Sequence, residues 1–449
     1  MADHEQNAAS SFDINLRMRT GALTLAFLLA TTLMANPGAQ AQTFKVLHAF
    51  SGNADGSYPE TGLTMDRGGN LYGTALGGGT ASCHSSDYGP GCGTIFKLMR
   101  SGSGWTLIPL YSFSGSPDGA APHSRMVFGP DGRLYGTTIN GGQGTCDSLF
   151  GVGCGTVFSL RPPASACKTA ICPWTETVLY RFSGGSDGGE PLGDLAFDQE
   201  GNLYGTTLGG GNGGCPVGCG VVYKLTPSNG GWTESVVYAF TGGDDGTNPW
   251  GGVAFDGAGN LYGTTAAGGY VNSGDCYEGC GTVFQLTPSG SGWSENTLHI
   301  FQGNDGNFSA AALAFDQQGN LYGDSTSGGT NNGGVVFELS PSNGNWNFSL
   351  LQQSLSGGIQ AGSWATLTID SSGNLLGTSR GGGRYGQGYV FRLTESNGVW
   401  SFTDVYDFYG GTDGGLPSSS VAFDAVGNLY GTAVVDGAFA QGVIWEITP

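Results

Sequence analysis

Apolar residues occur along this chain in short runs that glycine-rich, polar segments separate. Residues 192–240 contain one full unit, with the runs "LGDLAFD", "NLYGTT", "GVVYKLT" and "ESVVYAF". Runs of this length, bounded by Gly, Pro, Asn and Ser, predict four β-strands, which we call a, b, c and d in chain order. Strands c and d have apolar residues at both alternating positions, which indicates a sheet that packs on both faces.

The core of strand b, Leu-Tyr-Gly-Thr, occurs seven times with small changes, at intervals of 54 to 69 residues. Its copies begin at Leu71, Leu134, Leu203, Leu261, Leu321, Leu375 and Leu429. Repeats of this length favour propeller blades over solenoid coils, which typically repeat every roughly 20 to 47 residues. We interpret the motif as structural: Leu and Tyr face opposite sides of the strand, and Gly admits a neighbouring backbone or ring.

The two ends of the repeat region complement each other. The segment "TFKVLHAF", which begins at Thr43, has the pattern of strand d, whereas the final "GVIWEITP" has the pattern of strand c. Pairing these segments would complete seven four-stranded blades and remove an open sheet edge. The sequence therefore predicts an all-β, seven-bladed β-propeller, closed by pairing of the N-terminal strand in the last blade.

Residues 1–41 do not share this pattern. Arg17 and Arg19 precede an apolar run, and Ala39-Gln40-Ala41 follows it, as in a secretory signal peptide with its cleavage site. Translation starts at Met1 or Met18. We expect a cleaved leader, residues 1–41, followed by a single propeller domain, residues 42–449, in the periplasm or outside the cell. The alternative is an uncleaved membrane anchor.

Composition narrows the classes of function. The chain has 86 Gly, only 11% charged residues and a formal net charge of −20. Such a surface repels nucleic acid and anionic lipid, so we expect neither nucleic-acid binding nor membrane insertion after cleavage of the leader. Acidic secreted proteins are common, and the charge therefore does not identify a partner.

The ten cysteines form five close pairs along the sequence. With an export signal, this local and even spacing predicts disulfide bonds. The alternative is a Zn²⁺ site assembled from two Cys-x-x-x-Cys pairs of neighbouring repeats. The pairs are Cys83/Cys92, Cys146/Cys154, Cys167/Cys172, Cys215/Cys219 and Cys276/Cys280.

Three motifs of each unit, "GNLYGTT-x-GGG", "CGTVF-x-LTP" and "VLY-x-F-x-GG-x-DG-x-x-P", resemble the GloVer tandem repeat of secreted bacterial proteins. The resemblance covers nearly all of residues 43–449. It implies a secreted repeat protein without an assigned biochemical activity. Members typically carry a C-terminal anchor, whereas this sequence stops at Pro449, directly after its last strand, so we do not expect covalent surface anchoring.

The segment between strand d and the next strand a contains a recurring Asp-Gly in six of the seven units. A ring of carboxylates would suit Ca²⁺, but an Asx-type turn in each unit is the interpretation we favour. We accordingly expect no cofactor, with Ca²⁺ as the alternative. The aspartates are Asp55, Asp118, Asp187, Asp245, Asp305 and Asp413.

Positions that vary within the constant repeat are better candidates for function. One column, six residues before the end of strand a, is predicted to lie at the mouth of the central tunnel. It contains Glu60, His123, Leu192, Trp250, Ala310, Trp364 and Ser418. Arg125 and Asp194, two residues further on in their units, replace mostly small residues.

Trp250 and Trp364 are out of pattern in this column. They would stack on a flat face such as that of a sugar ring, or else plug the tunnel by packing. Seven other tryptophans hold repeated positions and are expected in the core: Trp105, Trp174, Trp232, Trp293, Trp346, Trp400 and Trp445.

No nucleophile and base stand out as a catalytic set. His48 and His299 occupy the strand-d position that Tyr180 and Tyr238 hold in other units, which indicates a structural role. A Glu60–His123 acid/base pair remains as an alternative.

We therefore expect a non-catalytic binding or scaffold module whose partner is a glycan or a surface protein. The alternative is an extracellular propeller enzyme, either a glycan hydrolase or lyase or a Ca²⁺-dependent lactonase. The sequence leaves the oligomeric state open.

Overall fold

The computed structural model describes residues 42–83, 89–102, 104–148, 151–163, 174–271, 276–353 and 365–449. Residues Phe44–Thr448 form one compact unit. It is all-β and consists of seven blades, each an antiparallel sheet in which strands a, b, c and d are neighbours in that order. The predicted fold class is confirmed. The predicted leader, residues 1–41, lies outside the described residues.

The bounds of strands a, b, c and d follow the seven repeats. They are Thr64–Met65, Leu71–Ala75, Thr94–Ser101 and Gly104–Ser112 in blade 1, and Val127–Phe128, Leu134–Asn140, Thr156–Arg161 and Thr175–Arg181 in blade 2. Blade 3 has Ala196–Phe197, Leu203–Thr207, Val221–Ser228 and Gly231–Ala239, and blade 4 has Ala254–Phe255, Leu261–Thr265, Thr282–Ser289 and Gly292–Ile300.

In blade 5 the strands are Ala314–Phe315, Leu321–Ser325, Val335–Ser342 and Asn345–Gln353, and in blade 6 Thr368–Ile369, Leu375–Ser379, Tyr389–Ser396 and Val399–Asp407. Blade 7 consists of Ala422–Phe423, Leu429–Ala433, Val443–Thr448 and, as strand d, Thr43–Ala49. Three further short strands are Ala120–Pro122, Asp147–Ser148 and Gly151–Val152, and Thr330–Asn332 and Gly411–Asp413 form 3₁₀ turns. The described part of the chain has no helix long and apolar enough to cross a membrane.

Two local predictions differ from the structure. Strand a of blade 3 has only two paired residues, Ala196–Phe197, because the preceding residues line the central tunnel. Strands c and d of the same blade are also longer than their predicted runs "GVVYKLT" and "ESVVYAF", because they continue to Ser228 and start at Gly231. Only Asn229 and Gly230 lie between the two strands.

Ring closure rests on the N-terminal strand and on contacts around it. Thr43–Ala49 pairs with Val443–Thr448, and the amide of Phe50 donates to the carbonyl of Gly442 at 3.0 Å. Phe44 also stacks on Tyr406 of blade 6, with 4.0 Å between ring centroids and 6° between the ring planes. The predicted closure of the ring is therefore confirmed.

The glycine of the Leu-Tyr-Gly-Thr motif lies directly beneath an aromatic ring of strand c. A Cβ atom on Gly263 would lie 2.5 Å from Cζ of Phe284, and the six equivalent glycines would meet strand-c rings at 2.3–2.8 Å. Phe284 cannot move away, because it is fully buried and packs edge-on against Phe240. The expected close approach of a ring is therefore confirmed, and it explains why glycine recurs here.

Neighbouring blades contact each other through aromatic pairs. The Tyr of strand b packs edge-on against the Trp that opens strand d of the following blade, as in Tyr262–Trp346 and, across the ring closure, Tyr430–Trp105. These strand-d tryptophans are only partly buried, in contrast to the core position expected for them, whereas Trp445 is fully buried. Blade 7 has no Trp in its strand d, and the blade before it has Leu376 instead of Tyr.

Three blades carry a strand-d glutamate close to an aspartate of the preceding turn. Burial, followed by the nearby Asp118 carboxylate, raises the pKa of Glu176 to about 7, and burial together with Asp187 does the same for Glu234. The pKa of Glu295 is also raised, by burial and by Asp245. Each of these glutamates is therefore partly buried close to a second carboxyl group, and both effects disfavour its charged form.

We predict that Gly263→Ala destabilises the propeller by about 1–3 kcal/mol, because the added methyl group overpacks a rigid core. Gly257→Ala is the matched control, since a Cβ atom there meets nothing within 4 Å. Urea unfolding of both variants measures the difference. Equal stability of the two variants would contradict the assigned role of the motif.

A second prediction concerns pH. The folded state binds protons at Glu176 and Glu234 more tightly than the unfolded chain, whose ordinary pKa is 4.5, so stability falls as the pH rises from 4.5 through about 7. Replacing both residues with Gln should stabilise the protein at about pH 8, and hardly at all at about pH 5. Solvent screening of these half-buried groups limits the gain to on the order of 1 kcal/mol per site.

The measurement is thermal unfolding at both pH values. Glu200→Gln, at an exposed turn between strands a and b, is the control. A double Gln variant that follows the pH profile of the unmodified protein would refute the coupling.

Candidate functional site

The loops between strands d and a and those between b and c lie together on one face of the ring. Isolated β-bridges join them in several blades, for example Thr247↔Ala267 and Asn307↔Ser327. We call this surface the loop face. It carries the longest connections of the chain.

The recurring aspartate of the d–a loop forms a turn within its own blade. Asp187 accepts hydrogen bonds from the amide of Ser183 at 2.9 Å and from the hydroxyl of Tyr180 at 3.0 Å. In two blades a histidine takes the place of Tyr, and Nε2 of His299 lies 2.9 Å from Asp305. These contacts support the turn interpretation and the structural role expected for His48 and His299.

Metal binding has little support from the geometry. The described residues contain no cluster of three or more His, Cys, Asp or Glu side chains that could hold a metal ion. Four cysteine pairs form disulfide bonds, which excludes them as Zn²⁺ ligands; Cys167 and Cys172 lie outside the described residues. The bonded pairs are Cys83–Cys92, Cys146–Cys154, Cys215–Cys219 and Cys276–Cys280.

A strained residue ties each described d–a loop to the preceding blade. Asn248 has φ +55° and Phe308 has φ +58°, although neither is glycine. The d–a loops that lead into four other blades have the same conformation at the equivalent position. The amide of Phe308 donates to the carbonyl of Cys280 at 3.1 Å, and that of Asn248 to Cys219 at 2.9 Å. The second cysteine of the disulfide thus anchors the loop of the next blade.

The predicted column of variable residues follows two positions after this strained residue. Six of its members line a single pocket at the centre of the ring: Glu60, His123, Leu192, Trp250, Ala310 and Ser418. Trp364 lies outside the described residues. The pocket has a solvent volume of about 60 Å³. This space holds a few water molecules and is far smaller than a site for an organic ligand of ordinary size.

Charges within this pocket are paired. Nη1 of Arg380 lies 3.0 Å from Oε1 of Glu60, whose side chain is only 7% exposed. Nε2 of His123 lies 3.8 Å from the other carboxylate oxygen. Burial lowers the pKa of His123 despite the opposing effect of Glu60, so the imidazole is neutral at neutral pH. The charge of Glu60 is therefore balanced by Arg380.

Asp194 has its own cationic partner. It accepts hydrogen bonds from the amide of Arg125 at 2.8 Å and from its guanidinium Nε at 3.0 Å. Asp194 lines the pocket, and Arg125 belongs to the neighbouring blade. The residues predicted from the sequence thus meet, but as ion pairs rather than as free acids and bases.

Sequence reasoning missed Arg380. This residue directly follows strand b of blade 6, where the other blades have Leu, Ile, Ala, Thr or Val. The position after strand b is therefore variable within the repeat, and Arg380 is the only charged residue at this position in the sequence. Its pairing with Glu60 is not evident from sequence, because blade 7 lies between the two blades.

Trp250 separates the central pocket from a larger one. Its ring packs against that of Phe308, with 5.3 Å between centroids and 59° between planes. Both residues line a second cavity of about 450 Å³ on the loop face, between blades 4 and 5. We call this cavity the lateral pocket. It is the more suitable of the two for an organic ligand.

We predict that Arg380→Ala destabilises the protein by about 3 kcal/mol, because it leaves a buried carboxylate without its guanidinium. Adding Glu60→Gln should recover most of the loss, since a neutral amide needs no counter-charge. Arg133→Ala, which breaks a solvent-exposed pair with Asp131, should cost less than about 1 kcal/mol. Chemical unfolding compares the variants, and equal losses for Arg380→Ala and Arg133→Ala would show that the buried pair is unimportant.

Comparison with solved structures finds matches of low sequence identity. The extracellular domain of a B. thetaiotaomicron protein described as a hybrid two component system matches over 90% of this chain and 39% of that chain (TM-score 0.50, 11% identity). A protein of unknown function from Dyadobacter fermentans matches over 91% of this chain and 99% of that chain (TM-score 0.44, 11% identity). Trypanosoma rangeli sialidase matches over 91% and 60% (TM-score 0.44, 11% identity).

At these identities the matches concern the fold alone. No curated protein sequence matches the chain. The model of the Gloeobacter/Verrucomicrobia repeat matches residues 33–171, 144–345 and 277–449. These segments together include all seven blades, and the chain belongs to the Gloeobacter/Verrucomicrobia repeat family.

Proposed function

We propose that this protein is a secreted, non-catalytic binding module that presents its loop face to a glycan. The observation that carries this proposal is the position of Trp250. Its ring forms a wall of the lateral pocket, which has a volume of about 450 Å³, next to the ring of Phe308. Aromatic faces beside polar groups are well suited to sugar rings, which have one apolar face and a hydroxyl rim.

The charges in the central pocket favour binding over catalysis. A glycosidase of the common two-carboxylate type needs one carboxyl group as an acid and a second as a nucleophile or base. Here the two carboxylates that line the pocket, Glu60 and Asp194, already accept hydrogen bonds from guanidinium groups. The pocket that they line has a volume of only about 60 Å³, which leaves little room for a substrate. Among the described residues, these contacts favour a rigid, plugged ring centre.

Secretion is consistent with the disulfide bonds in blades 1 to 4. Disulfides persist in oxidising compartments, such as the periplasm and the exterior of the cell. The first and last of these bonds, Cys83–Cys92 and Cys276–Cys280, both lie in b–c loops. The leader predicted from sequence would supply the export signal.

The proposal predicts that Trp250→Ala weakens glycan binding at least about tenfold, since truncating a buried aromatic contact typically costs more than 1 kcal/mol. The measurement is calorimetric titration with oligosaccharides of glucose, xylose, glucosamine and N-acetylglucosamine. Tyr385→Ala is the matched control, because Tyr385 is also an aromatic residue of the loop face but is 51% exposed in blade 6.

Two results would count against this function. Absence of binding to every oligosaccharide would remove the glycan as the partner. Release of reducing ends from any of them, abolished in Glu60→Gln, would support the enzyme alternative instead.

A further inference from the structure

The lateral pocket has walls from five loops of blades 3 to 5, two of the d–a type and three of the b–c type. Trp250 and Phe308 come from two successive d–a loops, and Tyr277 and Glu278 come from the b–c loop of blade 4. Tyr277 is 73% exposed and stands at the rim. The pocket thus combines three aromatic side chains with one carboxylate.

A disulfide holds two of these residues in place. Tyr277 and Glu278 lie within the short loop that the Cys276–Cys280 bond closes. The carbonyl of Cys280 accepts a hydrogen bond from the amide of Phe308 at 3.1 Å. The same loop therefore presents Glu278 and fixes the opposite aromatic wall, which limits the entropy lost on binding.

Three polar side chains of the pocket donate hydrogen bonds to backbone carbonyls. Nδ2 of Asn248 donates to the carbonyl of Leu208 at 3.0 Å. The hydroxyls of Thr326 and Ser327 donate to backbone carbonyls, each at 3.1 Å. Each hydroxyl oxygen retains acceptor capacity. These two hydroxyl groups therefore offer acceptors to a ligand.

The charge of the pocket has one sign. Glu278 is the only charged side chain among its described lining residues, none of which is Lys or Arg. The whole chain has a net charge of −20, which attracts cations towards its surface. Aromatic faces also attract cations through their quadrupole. A ligand that donates hydrogen bonds and carries positive charge is complementary to all of these features.

We infer that the lateral pocket binds an amino sugar, a hexose ring with a free, protonated amino group. The apolar face of the ring packs on Trp250, and the ammonium group faces Glu278 and the hydroxyl oxygens. N-acetylation would remove the charge and two donors, and a carboxylated sugar would be repelled. This inference rests on the proposed glycan-binding function and specifies which class of glycan the pocket takes.

The test compares three probes at about pH 6, where a sugar amine is protonated. They are a glucosamine tetramer, its N-acetylated counterpart and a galacturonic acid tetramer, each titrated into the mature protein. We expect the glucosamine tetramer to bind at least about tenfold more tightly than the N-acetylated one, and the acidic tetramer not to bind. The preference should weaken in about 0.5 M NaCl, because salt screens the charge of Glu278.

Glu278→Gln isolates the cause. It should reduce the preference for the free amine to less than about threefold and leave binding of the N-acetylated tetramer unchanged. Asp436→Asn is the matched control, because it removes the same charge from the corresponding loop of blade 7, away from the pocket. Thermal unfolding of both variants verifies that they fold.

The outcomes separate this inference from the proposed function. Equal binding of the free and N-acetylated tetramers, or equal effects of Glu278→Gln and Asp436→Asn, would overturn the amino-sugar inference while glycan binding stands. Tight binding of the acidic tetramer would overturn it as well. If none of the three probes binds, the amino-sugar inference fails, and the proposed function fails with it only if the oligosaccharides of glucose and xylose do not bind either.

Discussion

The contact between a strand-b glycine and a strand-c aromatic ring is the constraint on which the whole ring depends. At Gly263 a single methyl group would overlap the ring of Phe284, and the same geometry recurs in every blade. The contact brings strands b and c together around a fixed wedge of aromatic volume. Seven blades with this packing form the ring, and the N-terminal strand completes the last blade. The repeated heptapeptide is therefore a packing solution copied seven times.

Because packing occupies the constant positions, chemistry is confined to the positions that vary. The strained residue before each column residue, such as Asn248 before Trp250, is held by a hydrogen bond to the preceding blade. This bond directs the following residues towards the ring centre. Six column members consequently meet in one pocket, although members of adjacent blades lie roughly 60 residues apart along the chain.

The sequence predicts the fold well because each repeat carries its own strands, turns and wedge. It also predicts which column faces the tunnel, since one alignment of the repeats applies to all blades. It does not predict the Glu60–Arg380 contact, which joins blades 1 and 6 although blade 7 lies between them. The lateral pocket is equally invisible, because it forms where loops of different repeats, carrying Tyr277 and Phe308, approach each other. Regularity is local to the repeat, whereas these features arise between repeats.

The disulfide bonds have a clearer role in this context. A propeller with seven buried cores does not need short cross-links for global stability, in contrast to small secreted domains. The Cys276–Cys280 bond closes a loop of only a few residues, yet it places Tyr277 and Glu278 beside the pocket and its second cysteine holds Phe308. Blades 6 and 7 form the corresponding backbone contact from Gln387 and Gln441 without a disulfide. The cross-link is thus not required for this contact between blades, and its remaining effect is to hold the loop side chains in a fixed position.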